Sequence, residues 1–350
     1  MRLICRKVAF GHTGLIFSAL SVMSFHILHL LSPGLRIRVK LDQLHVEDSE
    51  TGQTRTVPLE DISVLISAAP DFTITAGALR RMAELNVLLM ICNQKFEPIS
   101  LTLPHYCPTS TEVLRRQVEW TDAWKNAIWR QVIAAKIIHQ ASVLKVFPHT
   151  QHLLQSIAER CLHPPETPPR QGLDTSQVTA TKRDLVRQWH AAACESRAAR
   201  IYWRKFMPLV CPNTTRREPG TRAGVNGMLD YGYAIMRTAV LRSLAAHGLI
   251  AALGIHHKAK AGSFALADDL MEPLRPFIDA QLYHHLDSGG VVADMKNWAP
   301  RAAALLITEV TMGKNKLRLI NAIDLYIQSF QQASNSGTSP SLQFPPINSS

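Results

Sequence analysis

The hydrophobic period of the sequence changes once, near residue 106, and this change constrains the fold more than any other feature. Before it, apolar residues recur at every second position, as in residues 35–40 (LRIRVK), which is typical of half-buried strands. After it, most apolar residues recur at the 3.6-residue spacing of helices. We therefore predict an α+β protein with a β-rich N-terminal domain over 23–105, followed by an all-α domain over 106–333.

Finer predictions follow from the same patterns. Thr75 is the predicted N-cap of a short helix in the β-rich domain. In the second domain the spacing predicts continuous helices over 269–287 and 298–332. Three tryptophans in the first long helical stretch are predicted to pack in the core rather than stack on bases. They are Trp120, Trp124 and Trp129.

Both ends of the chain differ from the rest in composition. Residues 14–31 contain no Lys, Arg, Asp or Glu, which imitates a signal peptide or a membrane span. A strand pattern begins just after Met23, so we predict that translation starts there and that 1–22 is a non-native or disordered extension. The alternative is a true N-terminal extension. The Ser/Pro/Asn-rich residues 334–350 are predicted to be a disordered tail.

The basic charge lies in the helical part of the chain. Net charge is +11. The three basic residues of 1–23 give +3, and seven basic and nine acidic residues give −2 over 24–105, which leaves +10 for 106–350. A surplus of this size indicates a nucleic acid or an anionic surface as partner.

The six cysteines are scattered without a CxxC pair, which argues against a zinc ribbon or a disulfide scaffold and favours the cytoplasm.

One segment, residues 254–276, combines residue types that bind metal ions and phosphates. Two adjacent histidines and a loop with two lysines precede three acidic residues. Asp269 and Glu272 are three residues apart, which puts both on one face of a helix, and Pro273 fits if that helix has just begun. Oxygen ligands with one imidazole suit a hard or borderline divalent metal. The alternative is that the acids cap a helix and the histidines are ordinary surface or packing residues.

Glu195 is the candidate for a further acidic ligand. It lies in a predicted helix among several basic residues, and the alternative is an exposed glutamate that pairs with them. These basic residues are Arg197, Arg200, Arg204 and Lys205.

Four motifs occur in order along the chain. They are E-x-x-A-A-x-x-Y-W at 195–203, N-x-x-L-x-Y-x-Y-A at 226–234, L-G-I-H-H at 253–257 and L-A-D-D-L-M-E-P-x-x-P at 266–276. Together, and after a β-rich domain of this kind, they resemble the CRISPR-associated endonuclease and integrase of spacer acquisition, called CRISPR-associated protein one. The type II branch is the most similar. The resemblance covers about residues 24–332.

This resemblance implies a set of site residues. The family's metal ligands are a glutamate, a histidine and an acid, which match Glu195, His257 and Glu272. Asp269 matches an additional nearby acid, so these four are the predicted catalytic residues. His256 is the less favoured ligand because neighbouring side chains on an extended segment point in opposite directions. The implied cofactor is Mg²⁺ or Mn²⁺.

The resemblance also implies a function. The helical domain would be a metal-dependent DNA endonuclease and integrase, in which the 3′-hydroxyl of a captured DNA fragment attacks a phosphodiester in a CRISPR repeat. The β-rich domain would mediate homodimer contacts and docking of a small adaptation partner protein. Two alternatives are a general metal-dependent DNase and a catalytically degenerate DNA-binding member. The candidates for contacts to duplex DNA phosphates are Arg200, Arg204, Arg216, Arg217, Lys258 and Lys260.

Overall fold

The computed structural model describes most of the chain. The described residues are 15–17, 26–30, 32–67, 69, 71–85, 87–93, 98–102, 111–163, 190–221, 223–257 and 264–347. The chain divides into two compact units, Met1–His105 and Tyr106–Ser350, and this division falls where the hydrophobic period changes. Among the described residues, no helix is both long enough and apolar enough to cross a membrane.

The first unit consists mainly of strands. In chain order its described elements are β1 (Leu15–Phe17), β2 (His26–Leu30), β3 (Leu35–Lys40), β4 (Gln43–Asp48), β5 (Thr54–Pro58), β6 (Ile62–Ser67), β7 (Phe72–Ile74), α1 (Ala76–Glu84), β8 (Leu88–Cys92) and β9 (Pro98–Thr102). One sheet has the order β1-β2-β6-β8-β9 and the other the order β5-β4-β3-β7. A single buried cluster of apolar side chains draws on strands of both sheets and on Met82 of α1.

Local sequence explains these elements. In β3, Leu35 and Ile37 are buried while Arg36 and Arg38 are exposed, as the alternating pattern predicts. The N-cap prediction for α1 is confirmed, because the Thr75 hydroxyl accepts a hydrogen bond from the Ala78 amide at 3.2 Å.

The second unit is mostly helical, and the α+β fold class is confirmed. Its described elements are α2 (Thr111–Val118), α3 (Asp122–Val143), α4 (Pro148–Leu162), α5 (Ala191–Val210), α6 (Gly224–Ala246), α7 (Ala265–Leu270), α8 (Arg275–Asp287), α9 (Met295–Ala304), β10 (Glu309–Met312), β11 (Asn315–Arg318) and α10 (Leu319–Ser336). Helix α3 packs against α4, α5 and α8. Trp120 and Trp124 stack with their ring centroids 4.9 Å apart, next to Phe330, so both belong to the core.

Two predicted helices are interrupted. The predicted helix 269–287 is instead α7, a 3-10 turn at Glu272–Leu274, and α8. Each of the two later pieces has a proline in its first turn, where a missing N–H costs no hydrogen bond. The predicted helix 298–332 contains the hairpin β10–β11, so the unit is not all-α. Gly313, with φ of 60°, makes the tight turn of this hairpin.

The two ends also differ from prediction. Within the predicted extension 1–22, strand β1 pairs antiparallel with β2, so its three residues belong to the sheet. The remainder of 1–22 lies outside the described residues, as does most of the proline-rich segment 163–180.

The prediction of a disordered tail over 334–350 is wrong for the residues up to 347. The Trp124 indole N–H donates to the Thr338 carbonyl at 2.7 Å. The Leu342 amide donates to Gln131 at 2.9 Å, and the Leu342 side chain is buried. Buried apolar contacts and paired backbone groups hold this segment on α3, which composition alone does not show.

Candidate active site

Asp269, near the end of α7, organises the turn that carries the two histidines. Its side chain is fully buried. One carboxylate oxygen accepts hydrogen bonds from the Ile255 and His256 amides at 2.7 and 2.9 Å, and the other accepts from the His257 amide at 3.1 Å. Three donors on one carboxylate fix the backbone of residues 255–257.

Gly254 lets this turn approach α7 closely. A Cβ at this position would lie 2.5 Å from the His257 carbonyl oxygen and 2.9 Å from the Asp269 carboxylate. The glycine of the L-G-I-H-H motif is therefore required by the close contact between the turn and Asp269.

The two histidines have different environments. The Nδ1 atom of His257 lies 2.6 Å from Asp269, and this hydrogen bond raises the pKa of His257 although partial burial opposes the change. With Nδ1 held by the carboxylate, Nε2 is the ring nitrogen available to another partner. His256 instead stacks on Trp129 with ring centroids 4.3 Å apart, and burial lowers its pKa.

Glu195 and Glu272 meet on a buried lysine that the sequence analysis did not identify. Glu195 lies in α5 and Glu272 begins the 3-10 turn after α7. An oxygen of each lies 2.6 Å from the Nζ atom of Lys136, on α3. Since both oxygens touch one nitrogen, they are at most twice that distance apart. Lys136 is the only Lys, Arg, Asp or Glu between Gln131 and Val143, and this isolation was the available signal.

Packing against α3 places Glu272. The ring of His139, one turn after Lys136, donates from Nδ1 to the Pro273 carbonyl at 2.6 Å. Burial lowers the pKa of His139 to about 4, so this ring is neutral. The hydrogen bond ties the 3-10 turn to the same helix that carries Lys136.

Two cations keep Glu272 ionised. Its other oxygen lies 2.9 Å from the Nε atom of Arg275. Burial by itself would raise the pKa of Glu272, but the charges of Lys136 and Arg275 outweigh it and lower the pKa to about 2. Burial also opposes the charge on Lys136, and the two glutamates reverse this and raise its pKa.

A cavity of about 290 Å³ adjoins this cluster. Its lining residues are Lys136, Gln140, Trp203, Arg217, Pro219, Tyr233, Glu272, Arg275 and Asp279. The buried Asp279 accepts hydrogen bonds from the Tyr202 and Tyr233 hydroxyls. Burial raises the pKa of Asp279 to about 6 although these two hydrogen bonds oppose the change.

The predicted phosphate contacts fall into three groups. Arg200, Arg204 and Arg216 are exposed. Arg217 is not, because its side chain is only 8% exposed and is ion-paired with Asp230; it is therefore a structural residue rather than a free phosphate ligand. Lys258 and Lys260 lie outside the described residues.

The predicted metal ligands come together only in part. Glu195 and Glu272 meet on Lys136, and His257 is close enough to Glu272 for each to shift the other's pKa. Within the described residues, no group of three His, Cys, Asp or Glu side chains is arranged to hold a metal ion. Convergence of the three predicted ligands on one ion remains a prediction.

The family model for CRISPR associated protein Cas1 matches residues 28–309. A CRISPR-associated endonuclease Cas1 from Neisseria meningitidis serogroup C (strain 8013) is 28% identical over 328 residues, which are 91% of this chain and 95% of the relative.

Solved structures share the fold. A casposase bound to integration product has a TM-score of 0.68 at 20% identity, and the alignment covers 90% of this chain and 92% of that chain. A Cas6-RT-Cas1–Cas2 complex has a TM-score of 0.67 at 18% identity, covering 95% of this chain and 37% of that chain.

The β-rich unit, the helical unit and the carboxylate–histidine cluster thus define an α+β protein of the Cas1 architecture. The chain belongs to the CRISPR-associated Cas1 family, as its motifs predict.

Proposed function

We propose that this protein is a metal-dependent DNA endonuclease and integrase that inserts captured DNA fragments as new spacers into a CRISPR array. The observation that carries the proposal is the convergence of Glu195 and Glu272 on one buried cation, beside a histidine held by Asp269. The reaction is attack by the 3′-hydroxyl of the fragment on a phosphodiester of the repeat, which forms a new phosphodiester and releases the 3′-hydroxyl end of the cut repeat strand. The Neisseria relative is named an endonuclease and the casposase is bound to integration product.

The donor set fits a divalent ion. The Glu272 oxygen that faces Lys136 is buried and already has a cation, the Lys136 ammonium, 2.6 Å away. Two carboxylates and one imidazole suit Mg²⁺ or Mn²⁺, and Glu195, His257 and Glu272 would hold the ion. Such an ion would supply charge stabilisation at the phosphoryl oxygens and would lower the pKa of the attacking hydroxyl.

The residues around the ligands prepare them for this role. Asp269 accepts the hydrogen on Nδ1 of His257 and so leaves the lone pair on Nε2. Arg275 keeps Glu272 ionised even though the side chain is buried. The exposed Arg200, Arg204 and Arg216 would contact phosphates of duplex DNA without reading its sequence.

The proposal includes partners and location. The protein would act in the cytoplasm as a homodimer joined by a small adaptation protein through its β-rich unit, on a captured fragment and a CRISPR repeat. A structural neighbour is a complex that contains Cas1 and Cas2, which supports a small partner of the Cas2 kind.

A strand-transfer assay tests the function. The full chain, with and without the small adaptation partner, is incubated with Mn²⁺ or Mg²⁺, a supercoiled plasmid that carries the CRISPR array of the source genome, and a labelled duplex fragment. Fragments ending in a 3′-hydroxyl should become joined to the plasmid, whereas 3′-dideoxy fragments should not. Glu195→Gln and Glu272→Gln should abolish joining, and the exposed Glu112→Gln should leave it unchanged.

Two results would favour the alternatives. Nicking of the plasmid without joining indicates a general metal-dependent DNase. Joining or nicking at the wild-type level in the Glu272→Gln protein would mean that this cluster does not perform the chemistry, as expected for a degenerate DNA-binding member.

A further inference from the structure

Lys136 contacts the two glutamates that the proposed function assigns as metal ligands. Its Nζ atom lies 2.6 Å from Glu195 and 2.6 Å from Glu272. The side chain is 12% exposed, so the ammonium group has little water around it. Burying an ammonium group costs free energy, and ion pairing with carboxylates offsets that cost.

This arrangement has two physical consequences. Two carboxylates at this separation repel each other unless a cation lies between them. Lys136 supplies that cation and holds the two side chains close together when no metal ion is bound. A divalent ion bound to the same two oxygens would lie within a few ångströms of Nζ, and repulsion between the two cations would push the ammonium away.

The cavity beside the cluster provides a place for a displaced ammonium. Lys136 itself lines the cavity, together with Gln140, Asp279 and two arginines, Arg217 and Arg275, which are ion-paired with Asp230 and Glu272. Gln140 is one helical turn further along α3, and its side-chain oxygen is buried without a hydrogen bond within the described residues. Asp279 adds a buried carboxylate. A lysine has four flexible methylene groups, so its ammonium can move into this cavity without movement of the backbone.

We propose that Lys136 is a displaceable internal counter-ion of the active site. In the metal-free protein it positions Glu195 and Glu272, and on metal binding its ammonium moves into the adjoining cavity towards Gln140. This inference rests on the proposed metal site and adds a positioning residue to it. Its consequence is competition: Lys136 weakens the apparent affinity for the divalent ion while it keeps the site assembled.

Direct metal binding tests the inference. Free Mn²⁺ is measured by electron paramagnetic resonance during titration of the full chain, for wild type, Lys136→Met and Arg275→Met. Arg275 also contacts Glu272 but does not contact Glu195 in the described residues. Loss of competition should tighten Mn²⁺ binding by Lys136→Met on the order of tenfold or more, and clearly more than by Arg275→Met.

Thermal melting gives a second readout. In EDTA the Lys136→Met protein should melt below wild type, because two glutamates have lost their cation, and Mn²⁺ should raise its melting temperature more than that of wild type. If Lys136→Met does not fold, Lys136→Gln takes its place.

Chemical labelling gives a third readout. In wild type, Mg²⁺ should speed the acetylation of the Lys136 amine by an amine-reactive ester. Peptide mass spectrometry measures the extent of this acetylation.

The outcomes separate the two proposals. If neither wild type nor any variant binds Mn²⁺, the proposed metal site fails and this inference fails with it. If wild type binds Mn²⁺ but Lys136→Met binds no more tightly than Arg275→Met, and Mg²⁺ leaves Lys136 acetylation unchanged, the counter-ion inference is overturned while the metal site stands.

Discussion

The replacement Asp269→Asn probes the turn that presents His257. Asn has the same shape but only one accepting oxygen, and its amide nitrogen can only donate. Asp269 receives two hydrogen bonds on each oxygen, from three backbone amides and the ring of His257. Whichever way the Asn amide is oriented, two of the four donors face an N–H₂ group instead of an oxygen.

The expected cost follows from this count. A buried donor left without an acceptor costs about 1–3 kcal/mol, so two lost partners cost about 2–6 kcal/mol. A domain is stable by only about 5–15 kcal/mol, so the loss is a large fraction of the whole. The pKa of His257 should also fall, since the hydrogen bond to Asp269 is the main reason that it is raised.

Tryptophan fluorescence is a selective assay for this change. All six tryptophans lie between residues 120 and 298, so urea unfolding followed by fluorescence reports the helical unit alone. Asp268→Asn is the matched control, because Asp268 is the preceding residue on α7 and is 30% exposed, with an ion pair to Arg237 at 2.9 Å. A partly exposed pair of this kind contributes about 0–1 kcal/mol. The reasoning is refuted if Asp269→Asn destabilises the helical unit no more than Asp268→Asn.

Three further predictions concern other parts of the site. Gly254→Ala should destabilise the helical unit by about 1–3 kcal/mol, since the new Cβ would meet the His257 carbonyl oxygen; an unchanged urea midpoint contradicts this. The pKa of Glu272 is lowered from its ordinary value of 4.5 to about 2, so this residue stabilises the fold above pH 4.5 and that stability is lost as the pH falls towards about 2. Glu272→Gln should therefore flatten the curve of stability against pH in that range. An unaltered curve would count against this prediction. Arg216→Ala should reduce the salt slope of DNA binding by up to about one unit, whereas Arg217→Ala should mainly lower stability. Equal salt slopes for the two variants would contradict this difference.

Local pattern was sufficient for the fold class and for part of the site. Alternation every two residues and repetition every 3.6 residues depend on neighbours in the chain, so the change near residue 106 located the boundary between the units. The adjacent His256 and His257 have different partners, since only the ring of His257 contacts Asp269; which of them binds a metal ion stays a prediction. His257 and Asp269 are 12 positions apart, within one short segment that folds back on itself.

Other features depend on contacts between distant segments. The tail residues up to 347 are Ser- and Pro-rich, but α3 offers Trp124 and Gln131 as hydrogen-bond partners. Arg217 is an arginine like the exposed phosphate candidates, but its side chain is only 8% exposed and is ion-paired with Asp230 on α6. The tail contacts join residues 214 and 211 positions apart, and the Arg217–Asp230 pair joins a loop to the helix after it, so neither composition nor periodicity identifies them.

Lys136 is the clearest case. From the sequence, a single lysine in an apolar helix can equally be a residue that extends its charge into solvent. It is separated from Glu195 by 59 positions, and only the packing of α3 against α5 and the 3-10 turn brings its ammonium onto both glutamates. The sequence determined which residues could ionise and which segments were helical, but the position of the buried charge was decided by the tertiary structure, because desolvation and ion pairing depend on distances in space.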